Sequence, residues 1–209
     1  MNFTKQVREY SIKNPNTILD VSKVKNTVFS EIPYKTLLKI LNRLEFEGVL
    51  SPVSKGVYYI GDKVVDEELL VTEYVANGKG MFVGYQLFND IGISTYQDDK
   101  TEIYTNNINS NQKNIGKFNL KYIDIVFEDS IVDLISLLET IDAGYSIKEC
   151  NFIAYKKTLD VLSHSYTDKY FQRVVESIRY KFSTIRVLTE LLKQNEIKNN
   201  CLEIYSAIC

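Results

Sequence analysis

Three helical segments and a hairpin within the first 61 residues, alternating apolar and polar segments in the middle, and helical periodicity after residue 128 predict an α+β chain. The expected order is an N-terminal winged helix-turn-helix over residues 1–61. A domain over 62–209 follows, with a mixed α/β segment and then a helical C-terminal part.

The first helix is expected from Phe3 to Lys13, with Phe3, Val7, Tyr10 and Ile12 on its apolar side and Asn14-Pro15-Asn16 ending it. A short helix fits "LDVSKVK", with Asp20 as N-cap. "SEIPYKTLLKILNRLEFEG" is the strongest helix of this part. Ser30 or a following residue caps it, Pro33 suits its first turn and Gly48 stops it. Two strands follow around a Ser54-Lys55-Gly56 turn.

"GDKVVDEE", residues 61–68, marks the expected boundary between the two parts. "EELLVTEYVANG" then reads as a helix ended by Asn77-Gly78, and "GMFVGYQLFNDIGIS" as a second helix after a glycine-rich entry. "KTEIYTNN" and "KFNLKYIDIVF" alternate as strands do, and the Asn-rich stretch between them reads as a long mobile loop of a hairpin. "DSIVDLISLLETIDAG" is a helix capped by Asp129 or Ser130 and stopped by Gly144. "SIKECNFIAYKKTLDVLSH" is another. "DKYFQRVVESIRYKFSTIRVLTELLKQN" reads as one long helix. Its apolar side holds Phe171, Val174, Val175, Ile178, Phe182, Ile185, Leu188 and Leu192, and its other side Lys169, Arg173, Arg179 and Arg186. That basic side is a solvated face or a docking surface for an acidic partner or nucleic acid.

Composition and charge narrow the function classes. No apolar run is long enough for a transmembrane helix, and "MNFTKQVREY" lacks a signal-peptide core, so a cytoplasmic location and no membrane partner are expected. The three cysteines, Cys150, Cys201 and Cys209, are odd in number and widely spaced, which argues against a disulfide framework or zinc site. His164 is the one histidine, and "LDVLSHSYTDKY" shows no nucleophile motif around it, so it reads as structural or superficial. Residues 1–61 carry nine Lys/Arg against five Asp/Glu, whereas the remainder carries 16 against 22. The first part is thus net +4 on a body of −6, which is ordinary fluctuation or the mark of a polyanion partner for the first part.

The third helix separates these alternatives further. At 3.6 residues per turn, Leu37, Ile40, Leu41 and Leu44 share one side, and Lys35, Lys39, Asn42 and Arg43 share the other. A recognition helix needs this division, because one face packs on the domain while the other enters the major groove. Cations there reach phosphates or guanine edges, and asparagine reads adenine. Lys35, Thr36, Lys39, Asn42 and Arg43 are therefore the candidate groove residues, and Lys55 at the hairpin tip a candidate phosphate contact. The plainer reading is a solvated helix face. Phe46 also falls on the polar side, where it suits packing on the following segment better than groove entry.

Catalytic signatures are sparse. The chain has neither G-x-x-x-x-G-K-[ST] nor G-x-G-x-x-G, and "GKGMFVG" reads as a helix entry. Asp98, Asp99 and Glu102 beside Lys100 have the residue types of a Mg²⁺-dependent nuclease, but they crowd one loop instead of converging from separate strands. No catalytic residue, metal site or cofactor is expected.

"LLKILNRLEFEGVLSPVSKGVYYIG" resembles the winged-helix end of AbiE-type antitoxins and related regulators, through Leu41, Arg43, Leu44, Gly48, Leu50, Lys55, Gly56 and Tyr58. "LFNDIGISTYQ" is similar to the family's next motif through Asn89, Gly92, Ser94, Thr95 and Gln97. It departs by an inserted Tyr96 and by lacking a proline that often follows. The resemblance covers about residues 1–127. It implies a bacterial DNA-binding transcriptional regulator, the antitoxin of a type IV toxin-antitoxin (abortive infection) system. Such a protein represses its own promoter at inverted repeats, as a homodimer or cooperative pair on double-stranded DNA, and counteracts a nucleotidyltransferase toxin. A protein-interaction module on a winged-helix scaffold, without DNA binding, is the alternative. A nuclease using Asp98, Asp99 and Glu102 is a third.

Overall fold

A computed structural model describes residues 2–61 and 67–208, so the expected boundary at 61–68 lies largely outside the described residues. The described chain is mixed α and β, with two sheets.

The first part runs α1 (Phe3–Lys13), β1 (Ile18–Asp20), α2 (Val21–Asn26), α3 (Tyr34–Phe46), β2 (Leu50–Ser54) and β3 (Val57–Ile60). Asp20 caps α2 by accepting from the Ser22 amide at 3.0 Å. Ser30 caps nothing; Pro33 stands at the α3 N-cap, and its carbonyl takes the amides of Thr36 and Leu37 at 2.9 Å each. Gly48 ends α3 at φ +73°, a conformation that costs other residues strain. The strands form an antiparallel sheet in the order β1-β3-β2. β1 was not anticipated, because three residues are too few to show alternation.

All four residues of β3 are buried, since both faces of this small sheet are covered. On one face Leu19, Leu50, Tyr58 and Ile60 join Val7, Phe29, Ile32, Leu37, Leu41 and Leu44 from the helices and their connections. On the other, Val57 joins Leu70, Tyr74, Ile103, Ile115, Phe118 and Leu120 of the second part. Ile12, expected on the apolar side of α1, points outward, and Ser11 takes the buried place.

The second part begins with α4 (Glu67–Tyr74), which ends short of the Asn77-Gly78 turn. β4 (Gly80–Val83) and α5 (Gly84–Asp90) follow, so "GMFV" is a strand and not the start of a helix. The reason is local: a Cβ on Gly80 would stand 2.4 Å from the carbonyl oxygens of Tyr74 and Tyr104, so glycine alone lets this strand approach its neighbour. β5 (Thr101–Thr105), β6 (Gln112–Ile115) and β7 (Phe118–Tyr122) complete a sheet ordered β4-β5-β7-β6. β5 and β7 pair in parallel, so the expected hairpin is replaced by a β6–β7 hairpin turned at Gly116. The expected loop is largely structured. Asn106 donates to Ile125 O at 2.8 Å and Asn107 to Glu73 O at 2.6 Å.

The C-terminal part is helical: α6 (Asp129–Ala143), α7 (Phe152–Ser163), α8 (Asp168–Ser177), α9 (Phe182–Gln194) and α10 (Cys201–Ile208). α6 lies at the centre of the largest core, with Ile131, Leu134, Ile135, Leu137 and Leu138 buried among side chains of β4, α5, α8 and α9. Glu128, not Asp129 or Ser130, occupies its N-cap. Residues 146–150 stay outside α7, which Asn151 caps by accepting from the Ile153 and Ala154 amides at 3.1 Å.

The expected single long helix is two, α8 and α9, separated at an extended Ile178. No Gly or Pro marks that break. It is held by tertiary bonds: the Tyr180 hydroxyl donates to Glu139, and Tyr205 donates to the Tyr180 carbonyl. Phe182, expected on the apolar side, is consequently half exposed in the first turn of α9. Among the described residues no helix is long and apolar enough to cross a membrane.

Candidate nucleic-acid interface

α3 carries most of the candidate residues. Leu37, Ile40, Leu41 and Leu44 are buried beneath it, which fixes its roll and turns Lys35, Lys39, Asn42 and Arg43 to solvent. Thr36 is half-buried at the edge of that face. Lys55 is exposed at the β2–β3 turn, beside Gly56 at φ +74°. Among the described residues, no ion pair engages Lys35, Lys39 or Lys55. The hydroxyl of Tyr58 stands 3.5 Å from Asn42 Oδ1, the outer limit of a hydrogen bond, so the Asn42 amide is left for other partners. Burial, then the charge of Glu45, raises the Tyr58 hydroxyl pKa and keeps it a neutral donor.

Arg43 is held differently. Its Nε donates to Glu47 Oε1 at 3.0 Å, and Arg8 of α1 binds the other oxygen of the same carboxylate. Hydrogen bonds from Arg8 and then Arg43 hold the Glu47 carboxyl below its ordinary range. Arg43 therefore arrives as part of an Arg8–Glu47–Arg43 group, with its guanidinium oriented along the face. Sequence reasoning missed Arg8 and Glu47. The Arg43–Glu47 spacing of four was a legible signal; the Arg8 contact, 39 residues away in sequence, was not. Phe46 is 93% exposed, so among the described residues the expected packing on the following segment is not seen.

The residues of the second motif serve as struts. Asn89 Nδ2 donates to Tyr96 O at 3.0 Å, Ser94 Oγ to Lys148 O at 2.8 Å, and Thr95 to Glu149 at 2.6 Å. Gly92 has φ +75° at the end of α5. The Tyr96 ring meets that of Tyr85 at a tilt, with centroids 4.6 Å apart, and its hydroxyl accepts from Lys148 Nζ at 3.0 Å. These bonds tie the segment after α5 to the stretch before α7.

The remaining candidates do not assemble into a reacting centre. Asp98 and Glu102 border a concavity of about 320 Å³ together with Tyr85 and Phe88, whereas Asp99 stays on the loop outside it. Among the described residues, no three carboxylate, imidazole or thiol groups converge as metal ligands would. His164 is exposed at the C-cap of α7.

No family model matches the chain, and no curated protein matches it. Among solved structures it is similar to the RV2827C protein from Mycobacterium tuberculosis, at a TM-score of 0.42 and 12% identity, over 99% of this chain and 81% of that one.

Proposed function

We propose that the chain is a sequence-specific DNA-binding transcriptional regulator, with residues 1–61 acting as a winged helix-turn-helix. One observation carries the reading: α3 buries one side completely and leaves Lys35, Lys39, Asn42 and the Glu47-oriented Arg43 on the other, followed directly by a hairpin tipped with Lys55. In this reading α3 enters the major groove. Lys39, Asn42 and Arg43 meet base edges, and Lys35, Thr36 and Lys55 meet the backbone. By its resemblance to AbiE-type antitoxins, the regulator represses its own promoter at inverted repeats and counteracts a nucleotidyltransferase toxin. No cofactor enters this mechanism, and the protein is not an enzyme.

The test is fluorescence anisotropy on DNA from the chain's own upstream region, across a salt series. Wild-type binding should exceed that to random DNA and fall with salt, and Lys39→Ala/Arg43→Ala should lose the preference. Equal affinity for upstream and random DNA would reject the reading. The exposed Phe46 at the end of α3 favours a second one, in which this face docks a protein. A Phe46→Ser variant that keeps DNA binding but loses toxin neutralisation would assign both roles to one helix.

A further inference from the structure

Four of the exposed large apolar side chains lie on or beside α7: Tyr145, Phe152, Ile153 and Val161, with Ile153 at 84% exposure. Tyr145 and Phe152 are in ring contact at 6.2 Å. At 100° per residue, Ile153, Lys157, Asp160, Val161 and His164 fall on one stripe of α7, and all five are exposed. The buried residues of the helix, Leu159 and Ser163, lie off that stripe. Lys157 and Asp160 are three residues apart on the same face, yet no ion pair engages either among the described residues. Lys193 and Glu190, at the same spacing on α9, do pair.

We propose that this face of α7 binds the α7 of a second copy of the chain, antiparallel, about a two-fold axis passing between Thr158 and Leu159. In a two-fold antiparallel pair, residues equally distant from the axis on opposite sides face each other across the interface. Lys157 then meets Asp160 of the second copy, and the pair occurs twice. Ile153 meets His164 and lies within one turn of Val161. Phe152, about 100° from Ile153 on the Leu159 side of the helix, lies outside the contact together with Tyr145.

Charge selects this occupant over others. The stripe carries both signs, Lys157 and Asp160, so an acidic partner or a nucleic acid would meet a carboxylate at its centre. A membrane would have to desolvate that carboxylate. A second copy satisfies both signs, because the two-fold axis sets each against its opposite. α7 has 12 residues and spans about 18 Å, so the contact is small and the dimer is expected in the micromolar range. This proposal does not depend on DNA binding.

Sedimentation velocity of the full chain tests it, from about 1 to about 200 μM, a range that brackets a micromolar constant. Wild type should pass from monomer to dimer. Lys157→Asp and Asp160→Lys should each weaken the dimer about tenfold or more, because like charges then face each other twice. The double variant Lys157→Asp/Asp160→Lys should regain it, since the opposed signs are restored with their places exchanged. Ile153→Asp should remove it. Every substituted side chain is exposed, and circular dichroism would verify that each variant is folded. A wild type that stays monomeric throughout overturns the proposal. So does a dimer indifferent to the single reversals, or a double variant no better than either single.

Discussion

The outer face of α3 and that of the α8–α9 pair look alike as sequences, with cations at helical spacing opposite an apolar stripe, yet the folded protein treats their cations differently. On the C-terminal helices most meet a partner: Arg173 pairs with Glu128, Lys181 with Asp142 and Lys193 with Glu190, and Arg179 donates to Ile208 O. On α3, Lys35 and Lys39 stand free of ion pairs among the described residues, and Arg43 is oriented by Glu47. A third arrangement lies between the two parts of the chain. There Lys113 of β6 binds the nearly buried Asp20, and Lys23 donates to Glu73 at 2.8 Å and to Asn107 at 2.7 Å. Helical spacing alone therefore does not distinguish free cations from tethered ones. The acids brought within reach by the fold do.

The largest effect should come from the interior pair. Asp20 is 3% exposed, and it also caps α2, the helix that leads into α3. Lys113→Met leaves that carboxylate without its cation, which typically costs about 3–5 kcal/mol. Urea unfolding should show a loss of that order. Arg173→Ala, which removes an exposed pair, should cost under about 1 kcal/mol. Equal losses in the two variants would erase the distinction between tethering inside the molecule and on its rim.

Next in size is DNA binding. Lys39→Ala and Arg43→Ala should each cost about 1–3 kcal/mol on the upstream sequence if they reach base edges, and Lys55→Ala should lower the salt slope by about one. Arg173→Ala/Arg186→Ala changes charge by the same amount as the α3 pair and should leave binding unchanged. If that control weakens binding as much as the α3 variants, a general cationic field is at work, and the contrast between the helices breaks down.

Much of the α3 side was legible in the sequence. The bounds of α1, the Asp20 cap, the Gly48 stop and the Lys55 turn all follow from local chemistry that few contacts can override. So does the exposure of Lys35, Lys39, Asn42 and Arg43, since a helix packed through four leucine and isoleucine residues has only one roll. The illegible features depend on distant partners. β4 requires a glycine pressed against Tyr74 and Tyr104. β6, with the sequence QKNI, buries only its last residue fully and so shows little alternation. The break before α9 is enforced by Glu139 and Tyr205, and no local residue announces it. Arg8 joins the site through Glu47, a contact between two helices that periodicity within either cannot reveal.

Glu47 gives a smaller prediction that sharpens the picture of α3. Its carboxyl is held below the ordinary value by Arg8 and Arg43, so the tether is intact above the unfolded pKa and is lost as pH falls through the folded one. Glu47→Gln removes a negative charge from the face and frees two guanidiniums. Affinity for random DNA should rise about two- to fivefold, by attraction to phosphates, while the preference for the upstream sequence shrinks because Arg43 loses its orientation. A gain shared equally by both DNAs would reduce Glu47 to a charge and deny it an orienting role.

The smallest effect concerns a carboxyl shifted in the opposite direction. Glu139 of α6 accepts from the Tyr104 and Tyr180 hydroxyls at 3.1 and 3.0 Å. Burial raises its pKa above the ordinary 4.5, although both tyrosines pull it down. A raised folded pKa means that its contribution to stability is fully present below the unfolded pKa and is lost as pH rises through the folded one. Glu139→Gln keeps an acceptor for both hydroxyls and removes the titration. Urea midpoints should therefore favour the Gln variant increasingly as pH climbs from about 4 toward neutrality, since wild type must then hold a poorly solvated charge. The opposite trend would mean that the two tyrosine hydrogen bonds outweigh burial. Glu139 would then resemble Glu47, a carboxylate stabilised by its donors, and the hydrogen bonds that hold the break between α8 and α9 would set its titration.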